Sequence, residues 1–319
     1  MSNHLLVLGW HNVQGTWCFP SAPGRGPAGL QQQLSVLARL ATVVPLGQAL
    51  RTLAEGRRLP PRAVAVTFDD GYADNLSLAV PILVQLGLPA TFFLVPALLS
   101  DRVQPWWEVT GWAFARGSRS ELHFEGVRYS LDNSRERRAA YGAVAERLKR
   151  RSFEDRTAAV AELVDMLRPR GSGYDRGLML TWKGARQLVE AGFDIGSHSA
   201  EHSILSEETA ADQYRDLAES RTVLEEQLQV PIDVLAYPNG TRLDFTVTTE
   251  SAAAAADYRF AVTTIAGFNK PDGNPHAVRR AVVYPEVGPR ALAIAITKSL
   301  LRWGDGPVQG TTGGSRLRR

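Results

Sequence analysis

Short apolar, β-rich segments alternate with helix-length segments along most of this chain, and that rhythm restricts the fold more than any other feature. The candidate strands are Leu5 to Leu8, Val64 to Phe68, Ala90 to Val95, Phe193 to Ser197, Val234 to Tyr237, Phe260 to Thr264 and Val278 to Val283. Between them, Leu30 to Leu40, Asn75 to Leu86, Thr181 to Ala191, Glu207 to Leu228 and Pro289 to Trp303 carry helical spacing. Several open on Ser, Thr or Asn and close near Gly, as helix ends do. Strands that alternate with helices predict an α/β protein with a mostly parallel sheet or barrel. In such folds chemistry gathers at the carboxyl ends of the strands.

The rhythm fails between residues 99 and 177. There a Trp106-Trp107 pair precedes a hairpin pattern at Leu122 to Tyr129 and a charged helical stretch from Ser134 to Leu167. This reads as a mixed, largely helical insertion within one domain spanning residues 1–308. Its polarity argues against a strong core of its own, so it is expected to cover the rim of the main fold as a lid or substrate wall. Residues 309–319, with Gly310-Thr-Thr-Gly-Gly-Ser and a final Arg316-Leu-Arg-Arg, read as a flexible basic tail.

The chain has 319 residues, 44% hydrophobic and 22% charged, which suits a soluble globular protein with a sizeable core. A single cysteine, Cys18, excludes an internal disulfide framework and any multi-cysteine zinc site. The N-terminus has no basic leader followed by an apolar stretch, and no later run approaches the roughly 20 residues of a membrane span. The expected location is therefore cytoplasmic. Net charge is +3 and the pI is near 9.1, but the basic residues lie in scattered runs such as Arg135 to Arg138 and Lys149 to Arg151. Without a focused stripe, nucleic acid is not an expected partner, and weak contact with a membrane surface is left open for the tail. The oligomeric state is also open.

Two clusters carry chemistry. Asp69 and Asp70 end the run Val64-Ala-Val-Thr-Phe-Asp-Asp-Gly71, and His198 and His202 follow the strand-like Phe193-Asp-Ile-Gly-Ser. An isolated Asp-Asp-Gly often does no more than structure a turn. Two histidines separated by three residues, however, face one point if the segment turns helically, and with one carboxylate they complete a three-ligand metal site. The remaining aspartate is then free to act as a base.

Thr67-Phe-Asp-Asp-Gly71, Gly196-Ser-His-Ser-Ala-Glu-His202 and Leu235-Ala-Tyr-Pro-Asn-Gly240 resemble, in that order, successive motifs of the polysaccharide deacetylase family. The resemblance extends over Asn75 to Pro96 and Leu180 to Leu205. It implies a distorted (β/α) barrel and a hydrolase that removes the N-acetyl group from an N-acetylhexosamine-containing saccharide or glycan precursor, as in surface-polysaccharide assembly. It also implies Asp69 as base, a divalent metal on Asp70, His198 and His202, and backbone donors to the oxyanion around Tyr237, Pro238 and Gly240. Zinc heads the candidates for such a donor set, with cobalt, nickel and iron as alternatives.

Two departures stand out. Family members commonly carry an arginine where this chain has Ala236, and that arginine orients the base; Arg279 or Arg280 is the candidate replacement. A late Leu-x-His segment, the usual general acid, is missing. His11 fills that place better than His276, because Trp10-His11 resembles the N-terminal Tyr-His segment of the poly-N-acetylglucosamine deacetylase branch. Trp106, Trp107 and Trp182 are equally suited to stacking on sugar rings or to packing, while Tyr72 and Asp74 read as turn and helix-entry residues. Two rival functions remain. His198-Ser-Ala-Glu201-His202 also satisfies the His-x-x-Glu-His signature of a zinc peptidase, and the missing arginine and late histidine are compatible with a sugar-binding relic.

Overall fold

The computed structural model describes residues 2–20, 26–171, 173–284 and 287–301. The tail at 309–319 and the end of the expected terminal helix lie outside them. In chain order, β1 (Leu5–Trp10) leads to α1 (Gly26–Leu40), β2 (Thr42–Val43) and α2 (Leu46–Ala54). Next, β3 (Ala63–Phe68) leads through a turn at Asn75–Ala79 to α3 (Val80–Leu86), and β4 (Thr91–Leu94) to α4 (Pro96–Leu99). The insertion supplies α5 (Trp106–Arg116), the hairpin of β5 (Glu121–Phe124) and β6 (Val127–Ser130), α6 (Ser134–Leu148) and α7 (Phe153–Leu167). The alternation then resumes with α8 (Trp182–Glu190), β7 (Asp194–Ser197), α9 (Ala210–Leu228), β8 (Val234–Ala236), α10 (Val247–Ala255) and β9 (Phe260–Val262). Two short strands, β10 (Phe268–Asn269) and β11 (Ala281–Val282), and α11 (Pro289–Leu301) complete the described chain.

Strands β1, β3, β4, β7, β8 and β9 are successive parallel neighbours. The sheet curls until the segment 278–282 joins its ends: Val278 bridges Val262 in parallel, and β11 pairs in parallel with β1. Antiparallel β10 pairs with the first residues of β1. This is the mixed α/β architecture expected from the sequence, a curled parallel sheet of the (β/α) barrel type. Among the described residues no helix is long and apolar enough to cross a membrane.

The two-residue period of a strand sorts side chains between two cores. Leu6, Leu8, Val64, Val66, Phe68, Phe92 and Leu94 point outward beneath the helices, whereas Leu5, Val7, Ala63, Ala65, Phe93, Val234 and Ala236 point inward, where α2 closes one end with Leu46, Leu50 and Leu53. The inner set is small, and that creates room for two large side chains. A Cβ on Gly196 would stand 2.4 Å from the Phe93 ring, and one on Gly9 would stand 3.2 Å from Arg280 Cδ.

Two local expectations change. The stretch from Asn75 begins as a wide π-helical turn rather than as regular α-helix, consistent with Pro81, which has no N–H to donate and whose ring crowds the preceding turn. The insertion, expected to lack a strong core, has one of its own in Phe114, Leu122, Leu131, Val144, Leu148, Leu163 and Leu167. Its charges hide the pattern: α6 is polar on average, yet Ala140, Val144, Ala145 and Leu148 form one buried stripe. Glu125 and Gly126, at φ 48° and 72°, make the tight turn of the hairpin.

Candidate active site

On the inward face of β3, every second residue continues toward the barrel mouth: Ala63, Ala65, Thr67, then Asp69 just beyond the strand. Asp69 is buried and meets Arg280 through two parallel bonds, Nη1 to Oδ1 at 2.6 Å and Nη2 to Oδ2 at 2.7 Å. Arg280 is wholly buried, donates Nη1 to Thr67 Oγ1 at 3.1 Å and Nε to the Thr263 carbonyl at 3.2 Å, and lies over the Phe93 ring. Burial alone would push the Asp69 carboxyl upward; the Arg280 guanidinium, helped by His198 and His11, outweighs it and holds the group below its ordinary range. Arg279, the other candidate, is one residue out of phase. It faces outward and donates to the Ala266 carbonyl, so it is not part of the site.

Asp70 takes the left-handed conformation, φ 69°, and is followed by Gly71 at φ 75°, which turns the second carboxylate away from the first. Its Oδ1 lies 3.3 Å from His198 Nε2 and 3.4 Å from His202 Nε2. The two histidines reach this point without the helical turn that their spacing suggested: Ser199 and His202, at φ 63° and 57°, bend an irregular loop instead. Burial pushes Asp70 upward, but the two imidazoles close against it, His198 and His202, prevail and keep it well below the carboxylate range. Burial lowers both histidines; at His198 the two aspartates more than offset it and the imidazole is raised, while at His202 burial wins.

The donor set fits a divalent cation. His198 Nδ1 bonds the Ala236 carbonyl at 2.7 Å, which assigns its proton to Nδ1 and leaves the Nε2 lone pair aimed at the Asp70 oxygen. Among the described residues the buried Asp70 Oδ1 has no good hydrogen-bond donor. For ligands at about 2.0–2.1 Å in a tetrahedron, the ligand-to-ligand edge is roughly 3.3–3.4 Å. The two observed separations, 3.3 and 3.4 Å, are that length. Among the described residues, Asp70, His198 and His202 form the one group of three or more potential metal-binding side chains that meets at a point.

His11 lies beside Asp69, Nε2 to Oδ2 3.9 Å, and stacks on Phe19. Its loop is tied to the start of the π-helical turn, since Asp74 accepts from the Val13 and Gln14 N–H groups and Asn75 donates to the His11 carbonyl. His276 is elsewhere, its Nε2 bonded to the Tyr258 carbonyl. Tyr237 does not supply the expected donor: its N–H goes to the Val262 carbonyl, its hydroxyl to the His276 carbonyl, and its ring stacks on Phe245. Pro238 has no N–H, and the Gly240 N–H closes the turn onto the Pro238 carbonyl. Asn239, which was not among the expected site residues although it lies in the Leu235–Gly240 motif, faces the cleft at φ 58°, and its buried Nδ2 has no partner among the described residues.

These groups line a cleft of about 830 Å³ whose far wall is α6, through Tyr141, Glu146 and Lys149. Trp107 packs on the His202 ring at 4.4 Å between centroids, and its Nε1 donates to Tyr72 Oη, which donates to the buried Glu108. On the other side of Trp107 a second cleft of about 710 Å³ opens between α5 and α7. Trp182 lines neither cleft and donates to Ser100 Oγ.

The polysaccharide deacetylase family profile matches residues 56–261, more than half of the chain, and the chain belongs to that family. Among curated proteins, YxkH of Bacillus subtilis (strain 168), whose own description as a polysaccharide deacetylase is provisional, is 20% identical over 238 residues, or 75% of this chain. The match spans 57% of the length of YxkH. Among solved structures, the Streptococcus pyogenes deacetylase PplD in complex with acetate has a TM-score of 0.62 at 17% identity, covering 94% of this chain and 99% of that one. IcaB from Ammonifex degensii has a TM-score of 0.57 at 20% identity, covering 92% and 97%. At such identities the likeness establishes the shared fold.

Proposed function

We propose that the protein is a metal-dependent carbohydrate deacetylase that hydrolyses the N-acetyl group of an N-acetylhexosamine unit in a saccharide or glycan precursor. One observation carries the reading: at the mouth of a family barrel, Asp69 is held by Arg280 beside, but outside, the group formed by Asp70, His198 and His202.

Asp70, His198 and His202 would hold the cation, zinc first by donor type, and when bound it would polarise the amide carbonyl and acidify the attacking water. Asp69 is the base. A carboxylate has about four lone-pair directions, so the two bonds from Arg280 fix its orientation and leave capacity to accept a proton from water. In this reading His11, 3.9 Å from Asp69 Oδ2, gives a proton to the departing amine. The Asn239 main-chain N–H, for which no acceptor is found among the described residues, and its Nδ2 are the donors nearest in kind to an oxyanion hole, a role for which Tyr237 and Gly240 have no free N–H. The products are acetate and a free amine. Tyr141, Glu146 and Lys149 make the insertion a wall of the substrate cleft.

The peptidase alternative needs both histidines on a helix with Glu201 at the metal, and the loop geometry and the position of Glu201 outside the ligand group do not support it. The relic reading rested partly on the missing arginine, a place that Arg280 occupies in space. The test is acetate release from N-acetylated saccharides, free, nucleotide-linked and lipid-linked, by protein loaded in turn with zinc, cobalt, nickel or iron. Release that a chelator abolishes supports the proposal. Saccharide binding with no acetate under any loading would replace it with the sugar-binding reading.

A further inference from the structure

We infer that Asp216 on α9, assisted by Arg156 on α7, is a positioning residue for the metal centre: it holds the loop Ser199–Ser203 in the path that brings His202 round to face His198 and Asp70. This rests on the metal reading proposed above. The loop needs a restraint, because among the described residues its one backbone–backbone hydrogen bond is the Ala97 N–H onto the Ala200 carbonyl, and two of its non-glycine residues are left-handed, at roughly 1–2 kcal/mol each.

Asp216 supplies that restraint with both oxygens. Oδ1 accepts the Ala200 N–H at 2.8 Å and Oδ2 accepts the Ser203 hydroxyl at 2.8 Å, so one carboxylate grips the loop at a point before His202 and at a point after it. The Ser203 N–H donates to Ser199 Oγ at 3.1 Å and closes the loop on itself. From the insertion side, Arg156, 1% exposed, donates Nη2 to the His202 carbonyl at 3.4 Å and Nη1 to the Arg151 carbonyl at 3.1 Å.

Neither charge is where stability alone would put it. Among the described residues no ion pair includes Asp216 or Arg156; at longer range the field at Arg156 comes from Glu208 first, then Glu207 and Asp216. Buried charges without a direct partner cost stability. Both contact the same loop, Asp216 at Ala200 and Ser203 and Arg156 at the His202 carbonyl. Asp216 touches neither imidazole, so its action is through the backbone that carries them. An amide can replace it in part: Asn retains one acceptor for the Ala200 N–H and offers a donor to a Ser203 hydroxyl that can rotate to accept.

Zinc affinity, measured by competition with a chromogenic chelator at a temperature well below unfolding, tests this without any turnover assay. Outer partners of metal ligands typically contribute 10–100-fold in affinity. Asp216→Ala is expected to weaken zinc binding by about that factor, Ser203→Ala by less, and Asp216→Asn to stay nearest the parent protein. Asp216→Ala that melts earlier but binds zinc as tightly as the parent would overturn the inference in favour of a purely structural role. If Asp216→Ala does not fold, Ser203→Ala decides, and unchanged affinity there overturns it equally. A parent protein that binds no divalent metal would instead sink the metal reading itself, and the inference with it.

Discussion

The interior of the barrel and the interior of the insertion are both built from buried side chains, but they are filled with different chemistry. Beneath the mouth of the barrel sit a wholly buried arginine, two buried aspartates and two buried histidines, fitted among alanines and glycines. The insertion is filled with Phe114, Leu131, Leu163, Leu167 and similar aliphatic groups. Apolar packing of equal volume is commonly at least as stabilising as a buried ion pair, so the charge in the barrel is a mark of use and the insertion core is a mark of ordinary folding. The insertion reaches the chemistry through a few side chains only: Trp107 on His202, Arg156 behind the loop, and Tyr141, Glu146 and Lys149 along the cleft.

That contrast can be broken most directly at Asp69. Asp69→Asn, nearly isosteric, should lower turnover by about 10³–10⁴-fold while zinc uptake is unchanged; equal loss of metal would show that Asp69 is a ligand and that the division of roles is wrong. His11→Ala comes next, at about 10²-fold in turnover, with His276→Ala close to the parent enzyme. The reverse ranking would move the proton donor to the β9 side of the barrel.

Arg280→Met leaves Asp69 buried without its partner and should cost about 3–5 kcal/mol of stability. The sign with pH follows from the depressed Asp69 carboxyl. Its pairing contributes stability above the ordinary carboxylate pKa and loses it as pH falls through the lower folded value, so the deficit of the variant should be larger at neutral pH than well below the ordinary carboxylate pKa of about 3.9 in chemical denaturation. An equal deficit at both would mean that Arg280 acts by packing on Phe93. Leu163→Ala, in the insertion core, should cost about 2–5 kcal/mol yet change turnover only a few-fold when assayed well below unfolding. Its readout is a melting curve beside an acetate assay, and collapse of zinc binding in this variant would erase the distinction between the two regions.

Much of this was legible beforehand because it is local. Strand and helix alternation follows from periodicity within short windows, and Asp69, Asp70, His198 and His202 follow from motif order. Other features were not. The insertion core was hidden because α6 carries its apolar stripe within a charged sequence, and Asn239 looks like any turn asparagine until its amide is seen to be buried and unpaired. The path between His198 and His202 was not legible either: it is an irregular loop with Ser199 and His202 left-handed, and the Asp216 oxygens it bonds come from another element.

By itself, then, the sequence determined a parallel α/β fold and the three side chains at the ends of β3 and β7, Asp69, Asp70 and His198, since spacing along a strand dictates which residues reach its carboxyl edge, while motif order pointed to His202. The partner of Asp69 was decided only in three dimensions. Arg279 and Arg280 are chemically identical neighbours, and only the register in which the segment 278–282 closes the barrel against β1 and β9 sends the second inward, across 211 positions of chain, to the carboxylate that it holds.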